Sequence, residues 1–324
     1  MKVLIVLSVL LACASAIEWS NFKQQFQKVY KSPAEELMRK LNFEKKVRQI
    51  EEHNKRFHNG EESYEMGINQ YSDMSYEEFA EKVTPQLNPE EHVVNEQTTY
   101  QPSGRAVPDS IDWRTRGAVT PVKNQGTCGS CYTFAAAAAM EGAYYLKTGS
   151  LYPLSEQNLL DCTTVSPYSN MGCNGGWASR SLQYIVNNGG IDYEYYYPYD
   201  GALGKCRYNY SYRGATARKV INVAAGENNL KAAVGEKGPV AVSIYSSDAF
   251  NNYKSGVFTD NNCNGRGTNH LVTVVGYGTD SYYGDYWLIK NSWGTWWGEQ
   301  GYMRMARNRN NMCLVASYGV YPEV

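Results

Sequence analysis

The stretch Gln-Gly-Thr-Cys-Gly-Ser-Cys-Tyr-Thr-Phe-Ala, residues 125–135, places two cysteines just before an alanine-rich run. Seven of the 8 cysteines lie at or after residue 128, and an odd number leaves one thiol unpaired. Past residue 100 the sequence has a single histidine, His270, because the other three of its 4 histidines come earlier. One spare thiol and one imidazole in the same region indicate a nucleophile with its base.

The residues after the second of these cysteines predict a helix over 131–148, with a run of alanines and a terminating Gly149. Cys131 would then stand at the helix N-terminus, where the dipole and the free amides favour a thiolate. An imidazolium from His270 beside the sulfur would lower the pKa of the thiol further. A redox or zinc Cys-x-x-Cys pair would instead need a thioredoxin-like start or a second ligand pair, and the sequence has neither.

Cys128-Gly-Ser-Cys131-Tyr132 matches a local signature of papain- and cathepsin-type cysteine proteases. Residues 287–294 predict a strand that ends in a polar turn, and this turn matches the Asn-Ser-Trp-Gly motif of the same family. The chain resembles this family almost from end to end. The resemblance implies four catalytic residues: Cys131 as nucleophile, His270 as base, Asn291 as the acceptor that orients the base, and Gln125 as oxyanion donor.

The resemblance also implies a cleft that binds an extended peptide. The Cys-Asn-Gly-Gly stretch ending at Gly176 matches an edge where glycine backbone can approach and hydrogen-bond to the substrate. Tyr318 stands where relatives tend to have a small residue at the end of the dominant pocket, so we expect a shortened pocket unless the ring swings out to solvent. The residues implied to bind substrate are Gly175, Gly176, Trp177, Ala178, Thr268, Asn269, Trp293 and Tyr318.

The six cysteines other than Cys131 that follow residue 100 fit a disulfide framework, although the sequence by itself leaves their pairing open. The resemblance selects Cys128–Cys173, Cys162–Cys206 and Cys263–Cys313. The first two bonds would join parts of a helical lobe, and the third would join parts of a β lobe. Such bonds require an oxidising compartment during folding.

The chain of 324 residues is long for one core and suggests about two domains. Its hydrophobic content of 43% and formal net charge of −1 describe a globular protein with no basic excess for nucleic acid or an anionic membrane. The sequence predicts a secretory signal over residues 1–16, because Lys2 precedes an apolar run from Val3 to Ala12 and small residues surround Ser15. The run is too short to span a bilayer, so we expect a soluble protein of the secretory pathway, lysosomal or extracellular.

A boundary near residue 105 divides the rest of the chain into 17–105 and 106–324. Positions from Glu35 to Asn54 follow one stripe of a long helix, and residues 67–73 form a second motif; both resemble cathepsin L-like propeptides. An ordinary amphipathic hairpin would explain the helix alone, but not both motifs in order upstream of the cysteine signature. Residues 82–105 are rich in proline and polar residues and predict an exposed, extended linker.

The charges of these two parts predict how the molecule is activated. Residues 17–105 carry 12 basic against 16 acidic residues, whereas residues 106–324 carry 18 against 16. The resulting attraction depends on ionised carboxylates, whose ordinary pKa values lie near about 4. We therefore expect a zymogen that is stable at neutral pH and processes itself near Val107 in mild acid.

Together these features predict an α+β fold in which a helical propeptide inhibits a papain-like mature domain of two lobes. The helical lobe would open with Cys131, and the β-barrel-like lobe would carry His270 and Asn291. The implied activity is that of a monomeric endopeptidase acting on protein and peptide substrates, with no metal or organic cofactor. The alternative is a binding or storage protein with an impaired site, because Tyr132 and Leu271 depart from the family beside both catalytic residues.

Overall fold

The computed structural model describes residues 18–88, 98–263 and 265–324 of the chain. The predicted secretory signal, residues 1–16, lies outside these ranges. The described residues form a helical N-terminal region, a helical lobe and a lobe built on one large sheet, which confirms the expected α+β class. None of the described helices is long and apolar enough to cross a membrane.

Seven α-helices and eleven strands are defined within the described residues. The helices are α1 (Pro33–His58), α2 (Tyr76–Lys82), α3 (Cys131–Thr148), α4 (Glu156–Cys162), α5 (Ala178–Asn188), α6 (Glu227–Lys237) and α7 (Asp248–Asn251). The strands are β1 (Tyr64–Met66), β2 (Ile111–Asp112), β3 (Ile191–Asp192), β4 (Arg213–Ala215), β5 (Lys219–Val223), β6 (Val240–Ile244), β7 (Tyr253–Phe258), β8 (His270–Asp280), β9 (Gly284–Lys290), β10 (Tyr302–Ala306) and β11 (Gly319–Glu323). A further helical segment spans 18–25.

Helix α1 has the long amphipathic form that the sequence predicts. Ser32 caps its N-terminus by accepting a hydrogen bond from the Glu35 amide, and a proline follows at the first helical position. Phe43 is buried in an aromatic cluster with the 18–25 segment, and Ile50 packs into the core that the N-terminal region shares with the sheet. The buried stripe of α1 therefore attaches the N-terminal region to the rest of the chain.

Helix α3 has the bounds that the sequence predicts and ends at Gly149, whose φ of 77° is the left-handed conformation of a helix C-cap. Its alanines at 135–137 and 139 are buried in the core of the helical lobe. Because alanine adds so little bulk, the helix backbone can lie close to α5 and to β8. This close packing brings the N-terminus of α3 against the first residues of β8.

The large sheet has the strand order β1-β7-β10-β9-β8-β6-β11-β5, with β2 pairing to β8. Strands β8 and β9 are antiparallel, and Thr273 is the register partner of Lys290. His270 begins β8 and Asn291 directly follows the last residue of β9, so the pairing sets these two residues side by side. Strand β1, from the N-terminal region, extends the sheet by pairing with β7.

The three disulfide bonds implied by the resemblance are present. Two lie in the helical lobe, Cys128–Cys173 and Cys162–Cys206, and the third, Cys263–Cys313, lies in the β lobe. Among the described residues, Cys131 is the only free cysteine, and it is buried. The expectation of one unpaired thiol, assigned to Cys131 by the resemblance, is therefore confirmed.

The expectation of an exposed linker over residues 82–105 is wrong for several of its residues. Val83, Thr84, Leu87 and Tyr100 are 0%, 1%, 3% and 4% exposed. Their proline-rich, polar surroundings resemble a linker, yet their apolar side chains and backbone groups find partners on the two lobes. Composition misleads here because a strap lying in a cleft and a free linker both lack regular secondary structure.

Candidate active site

The free thiol of Cys131 lies at the N-terminus of α3, against the start of β8. Its Sγ accepts a hydrogen bond from the Leu271 amide at 3.4 Å. His270, the residue before Leu271, is completely buried and uses Nε2 to reach Asn291 Oδ1 at 2.8 Å. Nδ1 of His270 has no hydrogen-bond partner among the described residues, which leaves that nitrogen available to the thiol.

Burial controls the protonation of both groups in this form of the protein. Loss of solvent raises the pKa of the Cys131 thiol to about 12 against the smaller, opposing effect of the Leu271 amide. Loss of solvent also lowers the pKa of the His270 imidazole to about 4, and the bond to Asn291 offsets only part of this change. The sequence predicts a lowered thiol pKa; in the covered site the neutral thiol and the neutral imidazole are favoured instead.

The bond between His270 and Asn291 is shielded from water. The indole of Trp293 stacks on the imidazole with ring centroids 4.6 Å apart and is itself 0% exposed. Asn291 Oδ1 also accepts from the Ser292 amide at 2.8 Å, which fixes its orientation. Because Oδ1 can only accept, the imidazole donates from Nε2, and the ring is held in a single tautomer.

The side-chain amide of Gln125 is buried beside the thiol segment, and both N–H groups of its Nε2 are hydrogen-bonded. Its Oε1 accepts from Ser292 Oγ at 2.7 Å, and its Nε2 donates to the Cys128 carbonyl at 2.9 Å. The second N–H of Nε2 donates to the carbonyl of Val83 at 3.0 Å. A carbonyl of the N-terminal region therefore occupies one of the two N–H donors of this amide.

Residues 83–87 fill the groove between the two lobes. The Leu87 amide donates to the Thr268 carbonyl at 3.0 Å, and Gln86 Nε2 reaches the same oxygen at 3.1 Å. Pro85 lies so close to Gly129 that a Cβ added to Gly129 would come within 2.7 Å of the proline ring. These residues, 83–87, form a strap that is continuous with α2, and Phe79 of α2 packs edge-on against Trp293.

The structure places the residues expected to bind substrate along this groove, with one exception. Gly175 has a φ of 110°, which favours glycine, and a Cβ at Gly176 would come within 2.6 Å of Asn170 Oδ1. Trp177 and Ala178 are buried, and the Tyr318 ring packs edge-on against Trp177 with centroids 5.7 Å apart. The exception is the side chain of Asn269, which bonds the backbone N–H and carbonyl of Ser246; a role for Asn269 in binding substrate stays a prediction.

Three contributors to the site were missed in the sequence. Ser292, within the Asn-Ser-Trp-Gly motif, orients the side chain of Gln125 through a hydrogen bond from its hydroxyl. Asn170 accepts from the Trp177 amide at 2.9 Å and stands over Gly176, and no local pattern marks it. The carbonyl of Val83 accepts a hydrogen bond from the Gln125 amide. The proline-rich, polar sequence around Val83 predicts a linker and gives no sign of this contact. Ser292 and Val83 both act through contacts with Gln125, which is distant in sequence, whereas Asn170 acts on residues only six and seven positions further along the chain.

A lone thiol with an oriented imidazole is the arrangement of nucleophilic catalysis on carbonyl groups, and here a strap of the same chain covers it. The fold and the site thus define a cysteine protease in its zymogen form. Residues 107–323 match the family model described as "Papain family cysteine protease", and residues 19–79 match the "Cathepsin propeptide inhibitor domain (I29)". The chain belongs to the papain family of cysteine proteases.

Individual relatives agree with this assignment. The chain is 44% identical to cathepsin L of Sarcophaga peregrina over 99% of both chains. It is 43% identical to digestive cysteine proteinase 1 of Homarus americanus over 100% of both. The solved structure of digestive procathepsin L 3 from Tenebrio molitor larval midgut superposes with a TM-score of 0.89 at 42% identity, covering 96% of this chain and 99% of that one.

Proposed function

We propose that the protein is an endopeptidase of the secretory pathway in which Cys131, His270, Asn291 and Gln125 form the catalytic site. The observation that carries this proposal is the propeptide carbonyl of Val83 on the Gln125 amide, beside the thiol and imidazole. A carbonyl held there imitates a substrate carbonyl at an oxyanion donor. The names of the relatives favour either a lysosomal or a digestive setting.

In the proposed reaction, release of the strap returns water to the site, and the proton of Cys131 passes to Nδ1 of His270. The thiolate attacks the scissile carbonyl, and the oxyanion binds the amide of Gln125 and the backbone N–H of Cys131. The imidazolium protonates the leaving amine, and the neutral imidazole then activates the water that hydrolyses the thioester. Asn291 keeps the ring oriented throughout both steps.

The departures beside the catalytic residues leave the reacting atoms in place, which disfavours an impaired binding or storage protein. Tyr132 is buried and its hydroxyl donates to the Gly172 carbonyl at 3.2 Å, away from the thiol. Leu271 contributes its backbone amide to Sγ. Labelling of Cys131 by an epoxysuccinyl inhibitor after acid treatment tests the proposal, because an impaired site would remain unlabelled while the protein stays folded.

The proposed boundary between propeptide and mature domain stays near residue 105. The family model for the protease starts at residue 107, residues 101–106 are exposed, and Val107 is partly exposed. Exposed backbone without regular structure is where proteolysis concentrates. N-terminal sequencing of the processed enzyme tests this position.

The first prediction concerns substrate specificity. In this chain the Tyr318 ring lies against Trp177, and Leu87 of the propeptide is buried in the same apolar cluster. Forcing a large side chain into a filled pocket costs about 1–3 kcal/mol, so kcat/KM should favour Val or Leu over Phe by about tenfold or more at the residue two before the cut. Kinetics on three peptides that differ only at this residue measure the preference.

Replacing Tyr318 by alanine should move this preference toward Phe, because the far end of the pocket becomes empty. Tyr282→Ala is the matched control, since Tyr282 is 77% exposed and lies outside the pocket; it should leave the ranking unchanged. A wild-type enzyme that prefers Phe would show that the Tyr318 ring leaves the pocket, and the filled-pocket idea would be wrong.

The second prediction concerns activation by acid. Two ion pairs between described residues cross from the propeptide to the mature domain, Lys46–Asp248 and Lys254–Glu65. Other carboxylates pair within the propeptide, where Arg39 holds Glu78 in a bidentate bond. This bond lowers the pKa of Glu78. The ion pair therefore stabilises the propeptide fold at pH values above the ordinary pKa of a glutamate, and this stabilisation is lost as the pH falls through the lowered pKa. Acid should therefore loosen the propeptide fold itself.

Glu78→Gln removes this charge at every pH, so the zymogen should process at a higher pH than wild type. Loss of about 1 kcal/mol from a partly exposed ion pair corresponds to about fivefold faster processing at pH 6. Glu81→Gln, at an exposed position of the same helix, should process like wild type. Timed gels from pH 4 to 7.5 measure the rates, and identical profiles for all three proteins would contradict the role of Glu78.

A further inference from the structure

The outer edge of β5 is paired with the propeptide. Strand β5 ends the strand order of the large sheet, and Thr99 forms a parallel bridge to Asn222 on it. The Tyr100 amide donates to the Asn222 carbonyl at 2.7 Å, and the Tyr100 ring packs edge-on against Tyr321 with centroids 6.2 Å apart. Residues 98–100 thus act as a short added strand, in the manner of peptides that bind to sheet edges.

A groove of about 400 Å³ lies beside this edge, between β5 and α5. Three cationic side chains line it, those of Arg180, Arg218 and Lys219, and the described lining residues include no carboxylate. Glu323 is the register partner of Lys219 on the neighbouring strand β11. None of the residues lining the groove belongs to the substrate cleft, so the groove is a separate basic surface.

Two buried polar atoms at the groove have no hydrogen-bond partner among the described residues, Ser179 Oγ and Asn222 Oδ1. Both residues line the groove, and Asn222 is only 5% exposed. A buried oxygen without a donor is unfavourable, and native proteins rarely leave one without a reason. The groove therefore offers a buried acceptor and a hydroxyl, together with cations, to a ligand that carries N–H donors and carboxylates.

We propose that the processed enzyme binds an extended acidic peptide at this groove and at the β5 edge, outside its catalytic cleft. The proposal rests on the boundary near residue 105, because residues 98–100 must leave to free the edge. The peptide adds a strand to β5 through the Asn222 carbonyl, and its carboxylates pair with Arg180, Arg218 and Lys219. The propeptide sequence fits this chemistry, since residues 89–97 hold three glutamates and no lysine or arginine.

The test uses processed enzyme whose thiol is blocked by an epoxysuccinyl inhibitor, so that the cleft is filled and the peptide stays intact. The probe is a fluorescent, acetylated peptide with the sequence of residues 90–102, and Kd is measured by anisotropy at pH 6.5. It should bind the processed enzyme at least about tenfold more tightly than the unprocessed Cys131→Ser zymogen, whose own residues 98–100 pair with the edge. Higher salt should weaken this binding, because exposed ion pairs are screened.

Two changes separate charge from strand pairing. Arg218→Glu with Lys219→Glu should weaken binding about tenfold, whereas the matched control Lys147→Glu with Lys205→Glu, at exposed lysines outside the groove, should stay within about twofold. N-methylation of the peptide at its Tyr100 position removes the donor to Asn222 and should weaken binding about fivefold.

Equal binding by the zymogen, or by a scrambled peptide of the same charge, would overturn the proposal. Before inhibition, the same preparations are assayed on a small dipeptide substrate. Hydrolysis without peptide binding would overturn the groove proposal alone, whereas an absence of hydrolysis would count against the proposed catalytic function.

Discussion

Replacing Cys131 by serine should lower kcat/KM on a peptide substrate by about 10⁴-fold or more, the scale at which loss of the nucleophile leaves only binding and oxyanion stabilisation. A serine hydroxyl has no accessible anion here, and Asn291 supplies no negative charge to strengthen the base. His270→Ala should cause a comparable loss, because the proton of Cys131 then has no acceptor. Hydrolysis rates of processed enzyme, matured by added wild-type protease where necessary, give the comparison.

The loss of activity can be assigned to the missing thiol only if the Cys131→Ser variant folds like the wild type. The three disulfides do not involve Cys131, so the serine variant should have no free thiol among the described residues and should melt close to the wild-type temperature. It should also fail to process itself in acid. Asn291→Ala is the graded control and should keep measurable activity, since Asn291 orients the base and moves no proton. Activity of Cys131→Ser equal to that of wild type would end the proposed mechanism.

Replacing Gln125 by alanine should lower kcat by about 10²–10³-fold, as the loss of one oxyanion donor does elsewhere. KM should change little, because the donor is used most strongly when charge develops on the oxygen. The same variant loses the bond to the Val83 carbonyl, so added propeptide should inhibit it more weakly than wild type. If kcat fell but inhibition by the propeptide were not weaker, the Val83 carbonyl would not occupy the position of the oxyanion.

Ser292→Ala gives a matched control for the Gln125→Ala prediction. Ser292 Oγ donates a hydrogen bond to Gln125 Oε1 at 2.7 Å and so orients the amide. Its loss should lower kcat about tenfold by letting the amide rotate, with no change in the order of substrate preference. An effect as large as that of Gln125→Ala would mean that Ser292 itself contributes to the reaction.

Much of the fold could be predicted from local patterns. Helix α3 runs from Cys131 to Thr148 as expected, because alanines and a C-terminal glycine act through local conformational preferences. The long propeptide helix also follows from short-range periodicity, and residues 287–290 lie in strand β9 as expected. Counting cysteines showed that one thiol is left over, and the family resemblance gave its identity and the three disulfides. Local conformational preferences decide the helices, so the sequence suffices for them.

Residue types and motifs were enough to identify the candidate nucleophile, its imidazole partner, the motif that orients the imidazole and the zymogen character of the chain. The folded structure was needed to show that residues 83–87 fill the cleft, that the Val83 carbonyl accepts from the Gln125 amide, and that the Asn269 side chain bonds Ser246. It also decided the sign of the shift in the Cys131 pKa. A helix dipole and a neighbouring imidazole can be inferred from residue order. Desolvation depends on which distant segments cover the thiol, and only folding brings those segments together.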